Sequence, residues 1–561
     1  MKKFMAGLLS LCMLMSAAIP AAAADGSQSG GNSMNNAIWG TSPISEPYPY
    51  VSEGEFSGKE VAASPDPLVS YRWDNPQADD GMEIFLRRPV SAVADNPENF
   101  QGMETLTEEA ADITVNGEGS IRLDFGTEFA GWLEIDSPDL SGKVTLGVSE
   151  YNRPAVNNRG AKTAAPTKYG DTYRLELKID DEMYEGVRFA FINVEEFDKP
   201  FHITAVRLVC QTKPVNYNGS FDSDNEMLNR IWYTAAYTVR AALNKDYFGS
   251  ILLFRGDRYS WTGDAYTSQA AALCAFGNYD FVLKNLRHTA AHPNYAVSNR
   301  SAIESYEMYW IFSLVDYYEH TGDTAGVESL LGEATKRLDH AYEIYGTNPT
   351  LGFFGWDERL GAGFENPNIP ENQNSYKLLS IQAWNEFSDV AEELGHTDLA
   401  EKYRGYAAEK TAELQADPAW YETCGIHASA DAINAGVLPE AAESQLADRY
   451  FTDRVNRLSY SPFNQYFILQ AMAESGRYDD AISSILDLWG GQIEYGGTTF
   501  FEMYRPDWND GVEPNAPVPN GQGGYTSLAH PWSAGVLDWM SEEILGIKPA
   551  AAGFKEFTVT P

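Results

Sequence analysis

The 561-residue sequence is poor in cysteine: Cys12, Cys210, Cys274 and Cys424 are its only four, and they show neither metal-ligand nor disulfide-framework spacing. A thiolate metal site and a cystine-stapled scaffold are thereby excluded, and the last three read as buried thiols. Basic residues are scarce as well, with 40 Lys and Arg against 80 Asp and Glu, a net charge of −40. Such a surface repels nucleic acid and anionic lipid, and it disfavours a strongly acidic polysaccharide unless the cleft is locally basic. Beyond residue 20 there is no run of about 18 apolar residues, so no transmembrane helix is expected. Gly-x-Ser-x-Gly elbows and phosphate-cradling loops are absent. His288 and His292 have the i, i+4 spacing of two metal ligands, but His-Thr-Ala-Ala-His lacks the glutamate of a zincin. Asp507-Trp-Asn-Asp-Gly511 has too few of the right positions for a calcium loop. Neither a metal nor a cofactor is expected.

What is present divides the chain into segments. Met1-Lys2-Lys3, an apolar stretch from Phe4 to about Pro20 and Ala21 to Ala24 form a signal-peptide pattern over residues 1–24, which implies export. Loss of Lys2 and Lys3 with it takes the net charge from −40 to −42. Residues 25–45, rich in Ser, Gly and Asn, read as a linker. Over 46–215, runs such as Ser120–Phe125, Lys143–Val148 and Thr172–Leu177 alternate apolar with polar residues, the period of antiparallel strands in a β-sandwich. Near Asn216 the period changes to that of helices. Met227, Leu228, Ile231, Trp232 and Ala235 share one helical face, with Asp222, Ser223 or Asp224 as the cap. Helices are predicted at about 224–244, 264–275, 279–291, 303–320, 323–344, 374–394, 398–415, 440–454, 462–474, 477–489 and 532–544. Gly322 and Gly395, each followed by a capping type (Asp323, Thr397), suggest serial helical hairpins over 216–545, either closed as an all-α barrel or open as a solenoid. Residues 546–561 read as a strand segment.

Four stretches carry a resemblance. Arg255-Gly-Asp257-Arg-Tyr-Ser-Trp261-Thr-Gly-Asp264 resembles the most recognisable motif of glycoside hydrolase family 78, the bacterial α-L-rhamnosidases. Leu314–Asp323, Gly497-Thr-Thr-Phe-Phe-Glu502 and Ser527-Leu-Ala-His530-Pro-Trp-Ser-Ala-Gly535 resemble later segments of that family, in the same order. The resemblance covers roughly Asn216 to Pro561. It implies a six-hairpin (α/α)6 toroid behind the β-sandwich and an inverting hydrolysis of terminal α-L-rhamnosides by a secreted, extracellular bacterial enzyme. Two positions depart from the pattern. Asp257 stands where the family has a glutamate acid, about one methylene shorter, and Leu252 stands where it has an upstream aspartate. The chain also stops where the family usually begins a C-terminal β-domain.

Inverting cleavage needs a protonated carboxyl at the leaving oxygen and a carboxylate that deprotonates water from the opposite face. Asp257 is read as the acid and Glu502 as the base. Tyr259 and Trp261 beside the acid would desolvate it and raise its pKa; Arg255 and Arg258 would act against that if they pointed at it. An ordinary ion pair between Asp257 and one of these arginines is the structural alternative. Asp264 is read as a third catalytic carboxylate or a sugar contact, or as the cap of the helix it starts. Substrate contacts are assigned to Arg255, Trp261, His530, Glu307 and Trp356. Trp232, Trp508 and Trp532 are better read as core. The partner is a carbohydrate. Another six-hairpin glycosidase or a glycan lyase stays open, as does a non-catalytic glycan-binding protein on the same fold.

Overall fold

The computed structural model describes residues 82–561, except Glu109, Arg153, Ala155, 158–159, 178–183, Phe254, Gly256, Asp257, Asn278, 292–302, 348–369 and 507–526. The signal-peptide and linker segments, Asp257, His292, Trp356 and Trp508 therefore lie outside the described residues.

The alternating segments form a nine-stranded antiparallel sheet. Its main path runs Glu83–Arg87, Ala205–Thr212, Gly119–Asp136, Glu185–Glu196, Lys143–Ser149 and Thr163–Ala164. Glu185–Glu196 is central and buried over its first ten residues, as its near-continuous apolar run requires. Its pairing with Gly119–Asp136 shifts register between Val187 and Phe189, a bulge that bends the long strand. That 18-residue strand extends well past the predicted Ser120–Phe125, whereas the strand predicted over Thr172–Leu177 ends at Arg174. A small sheet of Phe201–Ile203, Ile113–Val115 and Phe100–Gln101 shares a core with the large one, through Ile121, Leu123, Leu146, Ile192 and Phe201.

From Glu226 onward helices dominate. Asn225, rather than Asp222, Ser223 or Asp224, caps the first of them, accepting from the amides of Met227 at 3.0 Å and Leu228 at 3.3 Å. Glu226–Ala241, Asp264–Ala275, Phe281–Ala291 and Ser305–Thr321 follow the predicted spans closely, and Pro462–Glu474 matches its own. The segment predicted as one helix over 323–344 is two, Thr324–Glu328 and Leu331–Ile344. Asp323 caps the first as expected, but the cap position before Thr397 is His396 and Thr397 is itself helical.

Burial sorts the helices. Asp264–Ala275, Ser305–Thr321 and Pro462–Glu474 are buried on nearly every side, while Thr397–Gln415 buries only Ala400, Tyr403 and Ala407. Asp264–Ala275 packs on Ser305–Thr321, which packs on Pro370–Glu393; Ile426–Asn434 and Pro462–Glu474 continue the series. Gly535–Trp539 then packs on Pro462–Glu474 and back on Asp264–Ala275. Ile426–Asn434 has no counterpart among the predicted helices. The C-terminal residues form a hairpin, Ile547–Ala551 with Glu556–Val559. Cys210, Cys274 and Cys424 are free thiols, and no described helix is long and apolar enough to cross a membrane.

Candidate active site

The site forms where irregular segments between helices meet the large sheet. Leu252 joins Ala529 in an apolar cluster with Ala130, Trp132, Tyr184 and Val209 of the sheet-rich part, and its amide donates to the Ala529 carbonyl at 3.2 Å. An aspartate at 252 would be desolvated there, which explains why leucine suits this chain. One residue on, the Leu253 amide ties the motif segment to the segment around Ser527 through a carboxylate of the sheet-rich part.

Glu150, at the end of strand Lys143–Ser149, is the tie. Its carboxyl accepts from the Leu253 amide at 3.1 Å, the Ser527 hydroxyl at 3.0 Å and the Leu528 amide at 2.6 Å. Burial is the main cause that pushes its pKa up to about 7, against the lowering effect of these bonds. Nothing in the sequence reading pointed to Glu150. The available signal was a carboxylate directly after an apolar strand, where a solvated turn would be the ordinary assignment.

Glu502 is 1% exposed and faces Arg255, whose Nη1 and Nη2 donate to its two carboxylate oxygens at 2.7 and 2.9 Å. The fork supplies the counter-charge that a buried carboxylate needs. The Ser527 amide donates to the same carboxylate at 2.9 Å, and the Trp532 indole N–H holds the Glu502 carbonyl at 3.0 Å. Trp532 stacks on Phe463 and, like Trp232, belongs to the core.

Asp264 does not cap its helix. The cap position is Gly263, and the Asp264 carboxylate instead accepts from the Tyr306 hydroxyl at 2.6 Å. Glycine at 263 makes that approach possible, because a Cβ there would lie 2.3 Å from the Tyr306 ring. His530 Nε2 lies 3.8 Å from the other Asp264 oxygen, and its Nδ1 has no hydrogen-bond partner among the described residues. Burial, then the nearby Arg255, hold the imidazole well below its usual pKa, so it is neutral and can donate or accept.

Glu502, Arg255, Asp264 and His530 thus come together from positions up to 275 residues apart in sequence. Trp261 is half-buried, and Ser250 Oγ lies 3.0 Å from its amide nitrogen. Arg258 turns toward the sheet-rich part, donating to the carbonyls of Tyr184 at 3.0 Å and Leu252 at 2.6 Å. Glu307 is buried on the neighbouring helix, its carboxylate grouped with Glu304 and His340. His288, the other half of the i, i+4 pair, stacks on Tyr247.

No curated protein matches the sequence. Solved structures do. A family 78 rhamnosidase of Bacillus sp. GL1 has TM-score 0.64 and 18% identity, over 82% of this chain and 50% of that one. A Klebsiella oxytoca rhamnosidase with rhamnose bound has TM-score 0.64 and 15% identity, over 83% of this chain and 96% of that one. A Streptomyces avermitilis α-L-rhamnosidase complexed with L-rhamnose has TM-score 0.61 and 17% identity, over 85% and 46%. At these identities the likeness is one of fold, and the chain spans half the length of the Bacillus enzyme. The bacterial α-L-rhamnosidase six-hairpin glycosidase domain matches residues 216–544, more than half of the sequence, and the chain therefore belongs to the bacterial α-L-rhamnosidases of glycoside hydrolase family 78.

Proposed function

We propose that this protein is a secreted glycoside hydrolase that removes terminal α-L-rhamnose with inversion, on a catalytic (α/α)6 toroid spanning 216–545. Asp257 is the acid and Glu502 the base. The observation that carries the reading is the buried Glu502–Arg255 pair beside Asp264 and His530. A carboxylate given a counter-charge, held by a backbone amide and placed next to a neutral imidazole with an open nitrogen is equipped to take a proton from an attacking water. Asp264, kept in place by Tyr306, is suited to hold a sugar hydroxyl. Trp261 offers an apolar ring to the methyl face of a deoxysugar. Glu307 and Trp356 complete the proposed substrate contacts, and 46–215 is proposed as the β-sandwich domain. The return of Gly535–Trp539 to Asp264–Ala275 supports ring closure over a solenoid.

A lyase acting on a uronate needs spare positive charge at its cleft. Within this cluster the guanidinium of Arg255 is matched by Glu502, so hydrolysis is the better reading. The test is release of the chromophore from aryl α-L-rhamnosides and a panel of other aryl glycosides, with the first-formed sugar anomer followed by proton NMR. Rhamnoside-selective release with β-rhamnose appearing first is the expected result. Release from another glycoside alone overturns the substrate, and α-rhamnose appearing first overturns inversion.

A further inference from the structure

Ser527 stands between two buried carboxyl groups. Its amide donates to Glu502 at 2.9 Å, and its hydroxyl lies 3.0 Å from Glu150 Oε1. The same hydroxyl lies 3.1 Å from the Ala529 carbonyl and accepts from the Ala529 amide at 3.1 Å. A hydroxyl has one proton, so it donates either to Glu150 or to Ala529. The charge on Glu150 decides between them. An ionised carboxylate accepts from the Ser527 hydroxyl and from the Leu253 and Leu528 amides. A neutral carboxyl at the same place donates its own proton to Ser527 Oγ, and the serine proton turns to the Ala529 carbonyl.

The surroundings bring the two forms close in energy near neutral pH. A Cβ on Gly186 would lie 2.5 Å from Glu150 Oε1, so the carboxyl lies directly against the central strand. Its three hydrogen bonds come from uncharged groups, and the nearby Glu185 and Glu502 disfavour its ionised form. The cations in that region serve other carboxylates: Arg255 faces Glu502 at 2.7 Å, Lys162 and Arg258 face Glu185 at 3.1 and 3.7 Å, and Arg122 and Arg188 face Asp124. Glu128, on the long strand, and Tyr151, next in the chain, are both held in their neutral forms, first by burial and then by Glu150. Burial against the three bonds leaves Glu150 at about 7. A cavity of about 340 Å³, with Glu150 on its lining and exposed Ser91 and Val93 at its edge, gives the proton a route to solvent.

We propose that Glu150 is a positioning residue for Glu502, acting through Ser527, and that its proton switches the site between a competent neutral form and an impaired ionised one. Ionisation places a second negative charge beside a carboxylate that Arg255 already matches. It also draws the Ser527 hydroxyl away from the Ala529 carbonyl, within the turn that supplies the amide on Glu502 and leads into His530. Neutral Glu150 does neither. The proposal rests on the reading of Glu502 as the base and adds to it a control of that base from the sheet-rich part.

The test is the pH profile of kcat and KM on an aryl α-L-rhamnoside, from about pH 5 to about pH 9, for wild type, Glu150→Gln and Ser527→Ala, with folding confirmed by melting. Wild-type kcat is expected to fall above about pH 7, with KM changed by less than about twofold. Glu150→Gln, which stays neutral, should lose that fall. Ser527→Ala should lower kcat about three- to tenfold near pH 6 and move the fall to higher pH, because the hydroxyl is one of the contacts that hold the Glu150 pKa down. A purely structural role would lower turnover or melting temperature without moving the profile. Ser527→Ala decides the matter if Glu150→Gln does not fold. A fall that stays in place in the folded variants overturns the proposal and assigns the titration to another acid, and an effect confined to KM overturns the positioning of the base. Infrared difference spectra supply a readout apart from turnover: a carboxylic C=O band lost between about pH 6 and 8 in wild type and missing from Glu150→Gln is expected, and its absence from wild type overturns the switch. Wild type that cleaves no glycoside removes the reading of Glu502 and this proposal with it, a result distinct from turnover with an unmoved profile.

Discussion

At the residue scale, the chemistry rests on contacts that sequence spacing cannot contain. The motif around Arg255 and the segments around Glu502 and His530 were legible as candidates because their residue types and order match a known pattern. That Arg255 forms a bidentate pair with Glu502, and that Asp264 serves Tyr306 rather than its own helix, depend on segments far apart in the chain. Glycine at 263 is the small feature on which this turns. Gly263→Ala places a methyl group inside the contact distance of the buried Tyr306 ring, so a loss of about 1–3 kcal/mol is expected in urea unfolding. Tyr306→Phe removes only the hydroxyl on Asp264. It is expected to fold normally and to lower kcat on an aryl rhamnoside about tenfold, roughly one charge-assisted hydrogen bond. Unchanged kcat would show that Asp264 needs no such support.

At the scale of elements, most helices and the alternating strands were readable, and one short buried helix, Ile426–Asn434, was not. Ile426–Asn434 is short, rich in alanine, and buried over eight of its nine residues, so neither a polar face nor a long apolar run marks it. Its start is supplied from another helix. The Glu371 carboxylate accepts from the amides of Gly425, His427 and Ala428, satisfying donors that a local cap would otherwise take. Glu371→Ala strips all three at once and is expected to lower stability by about 1–3 kcal/mol. Glu371→Gln, which keeps an acceptor, should cost less. Equal losses in the two variants would mean that charge, not acceptor number, holds the helix start. The long strand Gly119–Asp136 was under-read for a related reason: its bulge shifts the face of the side chains, and the period of two breaks where the strand does not.

At the scale of the whole molecule, the sheet-rich part is built into the candidate site rather than appended to it, because Glu150 holds both the Leu253 and the Leu528 segments. Buried acids also set the response to pH. Burial raises Glu150 to about 7 and both Glu386 and Asp431 to about 8. Groups raised on folding contribute stability that is complete below their unfolded values and is lost as pH rises through the folded ones. His530, depressed on folding, acts oppositely, but only below its unfolded value of about 6.5. Stability is therefore expected to fall from about pH 4.5 to about pH 8, less steeply below 6.5 where His530 opposes it, as read by urea midpoints. Glu150→Gln should flatten that fall between about pH 4.5 and 7, by up to about 3 kcal/mol in all. A wild-type midpoint that rises over this range would contradict the burial of these acids. The central claim is the pairing of Asp257 and Glu502 on a terminal α-L-rhamnoside. It is tested most directly by kcat/KM on an aryl α-L-rhamnoside for wild type, Asp257→Asn and Glu502→Gln, with folding confirmed by melting. The expected result is measurable wild-type turnover that falls by about 100-fold or more in each variant. Turnover that survives either substitution, or folded wild type that releases nothing, would contradict it.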